Sequence, residues 1–259
     1  MLGSLIRGLI RDQIKLATAR WNFRRIFPWS RPPRVAFVAA TRLTQDDFWT
    51  DSALGVSLQR IKGDARVDLH LSFENASGLP EVYNRALTSC VNADIVVFLH
   101  DDVWLVDERL LEKLEAALAR FDVVGVAGNV RRVAAQPAWA FSCISNSEFV
   151  WDHDYLSGAV HHGNPGGHEL SSFGPAPARC ELLDGVFLAC RRRELVRREV
   201  GFDERFAFHF YDLDFCRSAR QAGLKLGTWP IDLVHQSQGA FGSPGWIQAY
   251  EVYLGKWKQ

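Results

Sequence analysis

The chain has 259 residues, 47% of them hydrophobic, and no formal net charge at pH 7. That suffices for one large α/β domain or two small ones and excludes global disorder. The charge is segregated: residues 1–34 carry eight Lys/Arg against one acid, Asp12, which leaves the remainder acidic and argues against a nucleic-acid-binding body. Five cysteines without a CxxC pair read as reduced thiols of a cytoplasmic chain, with neither a disulfide framework nor a zinc site. No apolar run approaches the roughly 18 residues of a membrane span. Arg7 and Arg11 interrupt the N-terminal apolar residues, so no signal peptide is expected.

Residues 2–19 have the period of an amphipathic helix. Leu2, Leu5, Ile6, Leu9, Ile10 and Ile14 share one face, and Arg7, Arg11 and Lys15 line the other. Trp21, Phe23, Phe27 and Trp29 follow among arginines. A basic face opposite an aliphatic one suits an anionic membrane surface, which residues 1–29 would touch on the inner face of the plasma membrane. The alternative is packing on its own domain or on another subunit. Pro28, Pro32 and Pro33 then form a stiff linker. This divides the chain into an arm and linker (1–33), a folded domain (34–240) and a helical tail (241–259).

The folded domain opens with the apolar strand Val35–Ala40, ending on Thr41 and Arg42. A helix is expected over 48–61, then an alternating strand over 67–71 followed by Ser72-Phe73-Glu74-Asn75. A second helix spans 79–91. Ile95 to Leu99 is a strand buried on both faces, running into His100, Asp101 and Asp102. Leu110, Leu111, Leu114 and Leu118 mark a third helix, and Val123–Ala127 a fourth strand. The alternation predicts an α/β fold: a mixed, mostly parallel sheet with helices on both faces. Residues 152–178 are rich in Gly, Pro, His and Ser and read as a long loop; its histidines are alternatively a metal cluster. Leu182–Cys190 is a further strand, with Asp184 and Gly185 inside it. A helix starts near Tyr211-Asp212-Leu213-Asp214 and ends at Gly223. Pro230 interrupts the strand 226–234, which suggests a sheet edge, and His235 follows it.

Ligands of open α/β sheets bind just past the carboxyl ends of strands. Two carboxylates there, Asp101 and Asp102, either hold a hard divalent cation or cap the next helix. Asp212 and Asp214 open a helix, and His235 ends a strand. Each group alone is a weak signal.

Three blocks in order carry more. They are Tyr83-Asn84-Arg85-Ala86-Leu87 through His100-Asp101-Asp102; Asp184-Gly185-Val186-Phe187-Leu188-Ala189-Cys190; and Val200-Gly201-Phe202-Asp203-Glu204 into Tyr211-Asp212-Leu213-Asp214 and His235. Over about residues 34–240 this order resembles the inverting GT-A (Rossmann-like) glycosyltransferases of family two, in their bacterial glycosyltransferase-like branch. The resemblance implies a nucleotide-sugar donor, a glycan or lipid-linked acceptor in cell-envelope or surface polysaccharide synthesis, and a divalent metal, Mn2+ or Mg2+. It assigns Asp102 and His235 to the metal and Asp212 to general-base catalysis. Thr41, Arg42, Glu74, Asn75, Asn84, His100 and Asp101 fall where the donor binds; Asp184, Gly185 and Tyr211 fall where the sugar and acceptor bind. Two positions depart from the family pattern: His100 replaces the first acid of its acid-x-acid motif, and Tyr211 replaces the Glu of its Glu-Asp motif. The rival reading is a non-catalytic module that keeps the fold and binds nucleotide or sugar. A sugar-nucleotidyltransferase is disfavoured, because no glycine-rich loop follows the first strand.

Overall fold

The computed structural model describes residues 29–258 apart from Gln238 and Ala240. The amphipathic arm expected over 2–19 lies outside the described residues. Pro33–Gln259 forms one compact unit. After strand β1 (Val35–Ala40), the Thr44 hydroxyl caps helix α1 (Gln45–Asp51) by accepting from the Asp47 N–H at 3.2 Å. Ser52 caps α2 (Ala53–Leu58), its Oγ accepting from the Gly55 N–H at 2.8 Å. Ser52 itself is extended, so its cap divides the single helix expected over 48–61 into two. Then come β2 (Val67–Ser72), α3 (Leu79–Ser89), β3 (Ile95–Leu99), β4 (Val103–Leu105), α4 (Leu110–Arg120), β5 (Val123–Gly125) and β6 (Ala127–Asn129). Two hairpins follow, β7 (Phe141–Ser145) with β8 (Glu148–Trp151), and β9 (Leu156–Asn164) with β10 (Gly167–Gly174). The described elements end with β11 (Arg179–Cys180), β12 (Leu182–Leu183), β13 (Phe187–Arg191), α5 (Arg192–Arg197), α6 (Tyr211–Gln221), β14 (Leu226–Thr228), β15 (Leu233–His235) and α7 (Pro244–Trp257).

These strands build two main sheets. The larger has the order β11-β14-β5-β13-β3-β1-β2, the second the order β12-β6-β9-β15-β4, with β10 paired to β9. β1 and β3 are buried along their whole length, as strands covered on both faces must be. β1 runs parallel to both β2 and β3, with Val35 opposite Val67 and Ile95. The segments after these three strands therefore leave one edge of the sheet together.

Four of the passages between the two sheets matter here. β3 gives way to β4 through His100–Asp102, β5 to β6 at Val126, β12 to β13 through Asp184–Val186, and β14 to β15 through residues 229–232. Three apolar runs that read as single strands (123–127, 182–190 and 226–234) are each divided between the two sheets. Pro230 thus marks a crossing. β14 and β15 each have two strand neighbours, so neither is the edge strand that the proline suggested. The segment 152–178 also departs from expectation. Most of it is the β9–β10 hairpin, whose strand β9 pairs with β6 and β15. Its glycines and histidines concealed a strand whose backbone partners come from distant parts of the chain.

The last helix is fastened by a buried acid. Asp214, 1% exposed, accepts from Lys256 Nζ at 2.8 Å and from Trp257 Nε1 at 2.9 Å. Lys256 also reaches Asp203 at 2.7 Å, and Tyr253 is fully buried. Asp214→Asn leaves the ammonium only partly matched and should cost about 1–3 kcal/mol. In a domain of this size that lowers the melting temperature by about 2–4 °C per kcal/mol. A thermal melt that matches wild type would show the anchor to be dispensable.

Candidate active site

Two of the crossings carry the site. At the end of β3 the backbone is held from three sides. The His100 N–H donates to Val186 O at 3.3 Å, Asp101 O accepts from the Leu54 N–H at 3.0 Å, and Asp102 O accepts from the Gln236 N–H at 3.0 Å. This brings Asp102 against the end of β15. His235 Nε2 lies 3.3 Å from Asp102 Oδ2, and His100 Nδ1 lies 4.0 Å from Asp102 Oδ1. One nitrogen or oxygen from each of His100, Asp102 and His235 falls within 4.8 Å of the others. Asp102 Oδ1 is buried and lacks a hydrogen-bond partner, a costly arrangement unless something else occupies that lone pair. Imidazole nitrogen with carboxylate oxygen is a donor set suited to a divalent transition metal. The residues present therefore fit a cation.

The electrostatics agree. Burial would raise the Asp102 pKa, but the hydrogen bond and charge of His235 outweigh it and hold the group at about 2. Burial opposes the charged form of His235, yet Asp102 raises its pKa above the ordinary value. Burial lowers His100, which is therefore a neutral imidazole.

The two departures from the family pattern meet in space. His100 Nε2 lies 2.9 Å from Tyr211 Oη, and Tyr211 Oη donates to Gly185 O at 2.8 Å. The tyrosine has one proton, and a carbonyl can only accept, so the hydroxyl proton is committed to Gly185. His100 Nε2 must then be the N–H donor, which leaves Nδ1 as the bare lone pair facing Asp102. This is the outer hydrogen bond that fixes the tautomer of a metal-binding histidine. His100 was expected among donor-binding residues; the structure brings it into the Asp102–His235 group. Phe208, which the sequence did not single out, stacks on its ring at 5.5 Å between centroids.

Asp212 sits in the first turn of α6, where Oδ2 accepts from the Gly185 N–H at 3.1 Å. Burial and the neighbouring Asp184 charge raise its pKa to about 7, against the backbone N–H bonds of the helix start. Desolvation thus exceeds the helix-terminus effect. The preceding residue, Phe210, is left-handed at φ 65°, a strain of about 1–3 kcal/mol of the kind that collects at functional sites. Asp184 caps its own crossing, Oδ1 accepting from the Val186 N–H at 3.0 Å. A Cβ on Gly185 would lie 2.4 Å from Tyr211 Oη and 2.9 Å from Asp212 Cβ. Gly185→Ala must displace both side chains; a fold-preserving shift of about 1 Å there should cost about 10²-fold in rate. Circular dichroism beside an activity assay checks this, and an active Ala variant would contradict it.

The segments after β1 and β2 form the adjoining part of the same edge. The Asn75 N–H donates to Thr41 O at 2.8 Å and the Glu74 N–H to Leu43 O at 2.9 Å. Thr41 is buried, whereas Arg42 and Glu74 are exposed. The Asn75 side chain closes its own turn on Ser77. Asn84, expected with the donor-binding residues, reaches the segment after residue 200. Its amide nitrogen donates to Phe202 O at 2.8 Å and Glu204 Oε1 at 2.9 Å, and its oxygen accepts from the Phe202 N–H at 2.8 Å. Both amide hydrogens and one lone pair of the oxygen hold the 200–206 segment, so Asn84 acts there as a tether. Among the described residues, no helix is long and apolar enough to cross a membrane.

Comparison with known proteins gives a fold and a family. Among curated proteins, none matches the chain. GalNAc-T7, solved with UDP, GalNAc and Mn2+, has a similar fold at 10% identity and a TM-score of 0.50, over 86% of this chain and 48% of that one. A mannosyltransferase of Pyrobaculum calidifontis in complex with GDP-Man and Mn2+ is similar at 13% identity and 0.45, over 90% and 66%. TarS of S. aureus is similar at 13% and 0.49, over 86% and 39%. The chain thus spans less than two thirds of the length of each of these three. A model of the glycosyltransferase-like family matches residues 57–239. That span runs from before Tyr83 to beyond His235 and takes in all three sequence blocks, so the chain, with its GT-A fold, belongs to the glycosyltransferase-like family.

Proposed function

We infer that the protein moves a sugar from a nucleotide-sugar donor to a hydroxyl of a glycan or lipid-linked acceptor, with inversion and with a divalent metal. The observation that carries this reading is a cation-fitting group, His100–Asp102–His235, together with a carboxylate raised to about 7, Asp212, which is bonded to the Gly185 crossing. His100, Asp102 and His235 would hold the cation, which would supply electrostatic stabilisation of the leaving diphosphate. The Asp212 carboxylate accepts the proton of the acceptor hydroxyl as it attacks the anomeric carbon, a contribution of roughly 10²–10⁴-fold. Attack opposite the leaving group inverts that carbon and needs no covalent enzyme intermediate. The edge built from Thr41, Arg42, Glu74, Asn75 and Asp101 receives the nucleotide. Asp184, Gly185 and Tyr211 shape the space for the transferred sugar. The rival, a binding module without chemistry, rested on His100 and Tyr211 as lost acids. Their mutual hydrogen bond makes them a matched pair instead.

The test is a thermal-shift panel of nucleoside diphosphates and nucleotide sugars, each with Mn2+, Mg2+ or EDTA. A ligand at 100 times its Kd adds about 2.7 kcal/mol of stability. One nucleotide should shift the melt only with metal. A metal-independent shift, or none with any nucleotide, would refute the metal-dependent donor site. A cell-envelope role and attachment through residues 1–29 predict flotation with anionic liposomes that deletion of residues 1–33 abolishes. Equal flotation of the deleted chain would exclude the arm as the anchor.

A further inference from the structure

The cation-fitting group has a neighbour on the hairpin. Strand β9 runs parallel to β15, and the register sets His162 beside His235. Residues paired across adjacent strands project to the same face. The two rings are 5.9 Å apart between centroids, with His162 just outside the set whose ligand atoms fall within 4.8 Å of one another, so that joining it takes a side-chain turn. His162 Nδ1 is buried and without a hydrogen-bond partner. Two buried lone-pair atoms, His162 Nδ1 and Asp102 Oδ1, thus stand unmatched on either side of His235. An unmatched buried polar atom costs about 1–3 kcal/mol, and two flanking one histidine have a common remedy in a shared ligand. His161, the next residue, also has a buried Nδ1 without a hydrogen-bond partner, but it alternates to the opposite face and packs edge-on to His168 at 4.7 Å.

We propose that His162 is a fourth protein donor to the cation of His100, Asp102 and His235. This rests on the metal reading above and extends it. Three neutral imidazoles and one carboxylate leave room for donor oxygens in the coordination sphere of Mn2+. They also tie the hairpin to the ends of β3 and β15, so that cation binding and the position of the β9–β10 hairpin become linked.

The experiment uses the full chain and Mn2+ alone. Calorimetry gives the affinity, and electron spin-echo modulation counts the imidazole nitrogens coupled to the bound ion. Wild type should show three coupled imidazoles. His162→Gln should show two and bind Mn2+ at least about tenfold more weakly, since even outer-shell partners of a metal site cost 10–100-fold. His161→Gln should leave both readings unchanged. Two imidazoles in wild type, or full-strength binding by His162→Gln, overturns the fourth donor and leaves the three-residue site standing. Equal weakening in both variants assigns the effect to the hairpin and also overturns it. Failure of wild type to bind Mn2+ overturns the metal reading itself.

Discussion

Asp212→Asn is expected to lower kcat by at least about 10²-fold while donor affinity stays near wild type, because the lost interaction exists only as the acceptor proton moves. The substitution keeps the shape and the bond from the Gly185 N–H while removing the basicity. In wild type the carboxylate, raised to about 7, must be ionised to act, so kcat should climb through about pH 7 and level off above it. The same shift has a stability consequence of opposite sign to the usual one. The folded-state pKa lies above the ordinary 3.8, so the folded chain holds the proton more tightly than the unfolded chain. Stability is fully present below the ordinary 3.8 and is lost progressively as pH rises from there to about 7. Asn does not ionise. The variant should therefore melt above wild type at pH 8, with the gap closing toward pH 4. A variant that transfers sugar at near wild-type rate would place the base elsewhere, with Asp184 the next carboxylate at the site.

The second large effect is at Asp102. Asp102→Ala should keep the fold, since the side chain is 29% exposed and the turn is held by backbone bonds, yet lose metal-dependent nucleotide binding by well over tenfold. In the metal-free protein the carboxylate is held low and His235 is raised, so the pair carries a proton that a cation must displace. Mn2+ affinity of wild type should accordingly weaken as pH falls through the His235 titration. Titration calorimetry in two buffers of different protonation enthalpy measures the released proton. An Asp102→Ala protein that binds nucleotide with undiminished metal dependence would remove Asp102 from the site.

Strands and helices whose apolar period is local were legible in the sequence: β1, β2, β3, α3 and α4 stand where the patterns put them. The crossings were not. An apolar run such as Leu182–Cys190 has the same composition whether it stays in one sheet or leaves it, and only long-range pairing decides. The β9–β10 hairpin was hidden for the converse reason, since its half-exposed, glycine-bearing strands have little hydrophobic alternation. At the site, Asp102 and His235 were legible as strand-end ligand types, and the structure brings them together. The tether at Asn84 was not legible because its partner, Phe202, is distant in sequence. His100 and Tyr211 read as two separate losses because they are 111 residues apart. Only their contact reveals that one sets the tautomer of the other.

The most direct test follows the anomeric proton of an α-linked nucleotide sugar by NMR, with wild-type protein, acceptor or water, and Mn2+. The account predicts metal-dependent cleavage in which the β-anomer appears first, and its loss in Asp212→Asn. Cleavage giving the α-anomer first, or a donor that binds with Mn2+ and stays intact, would contradict it.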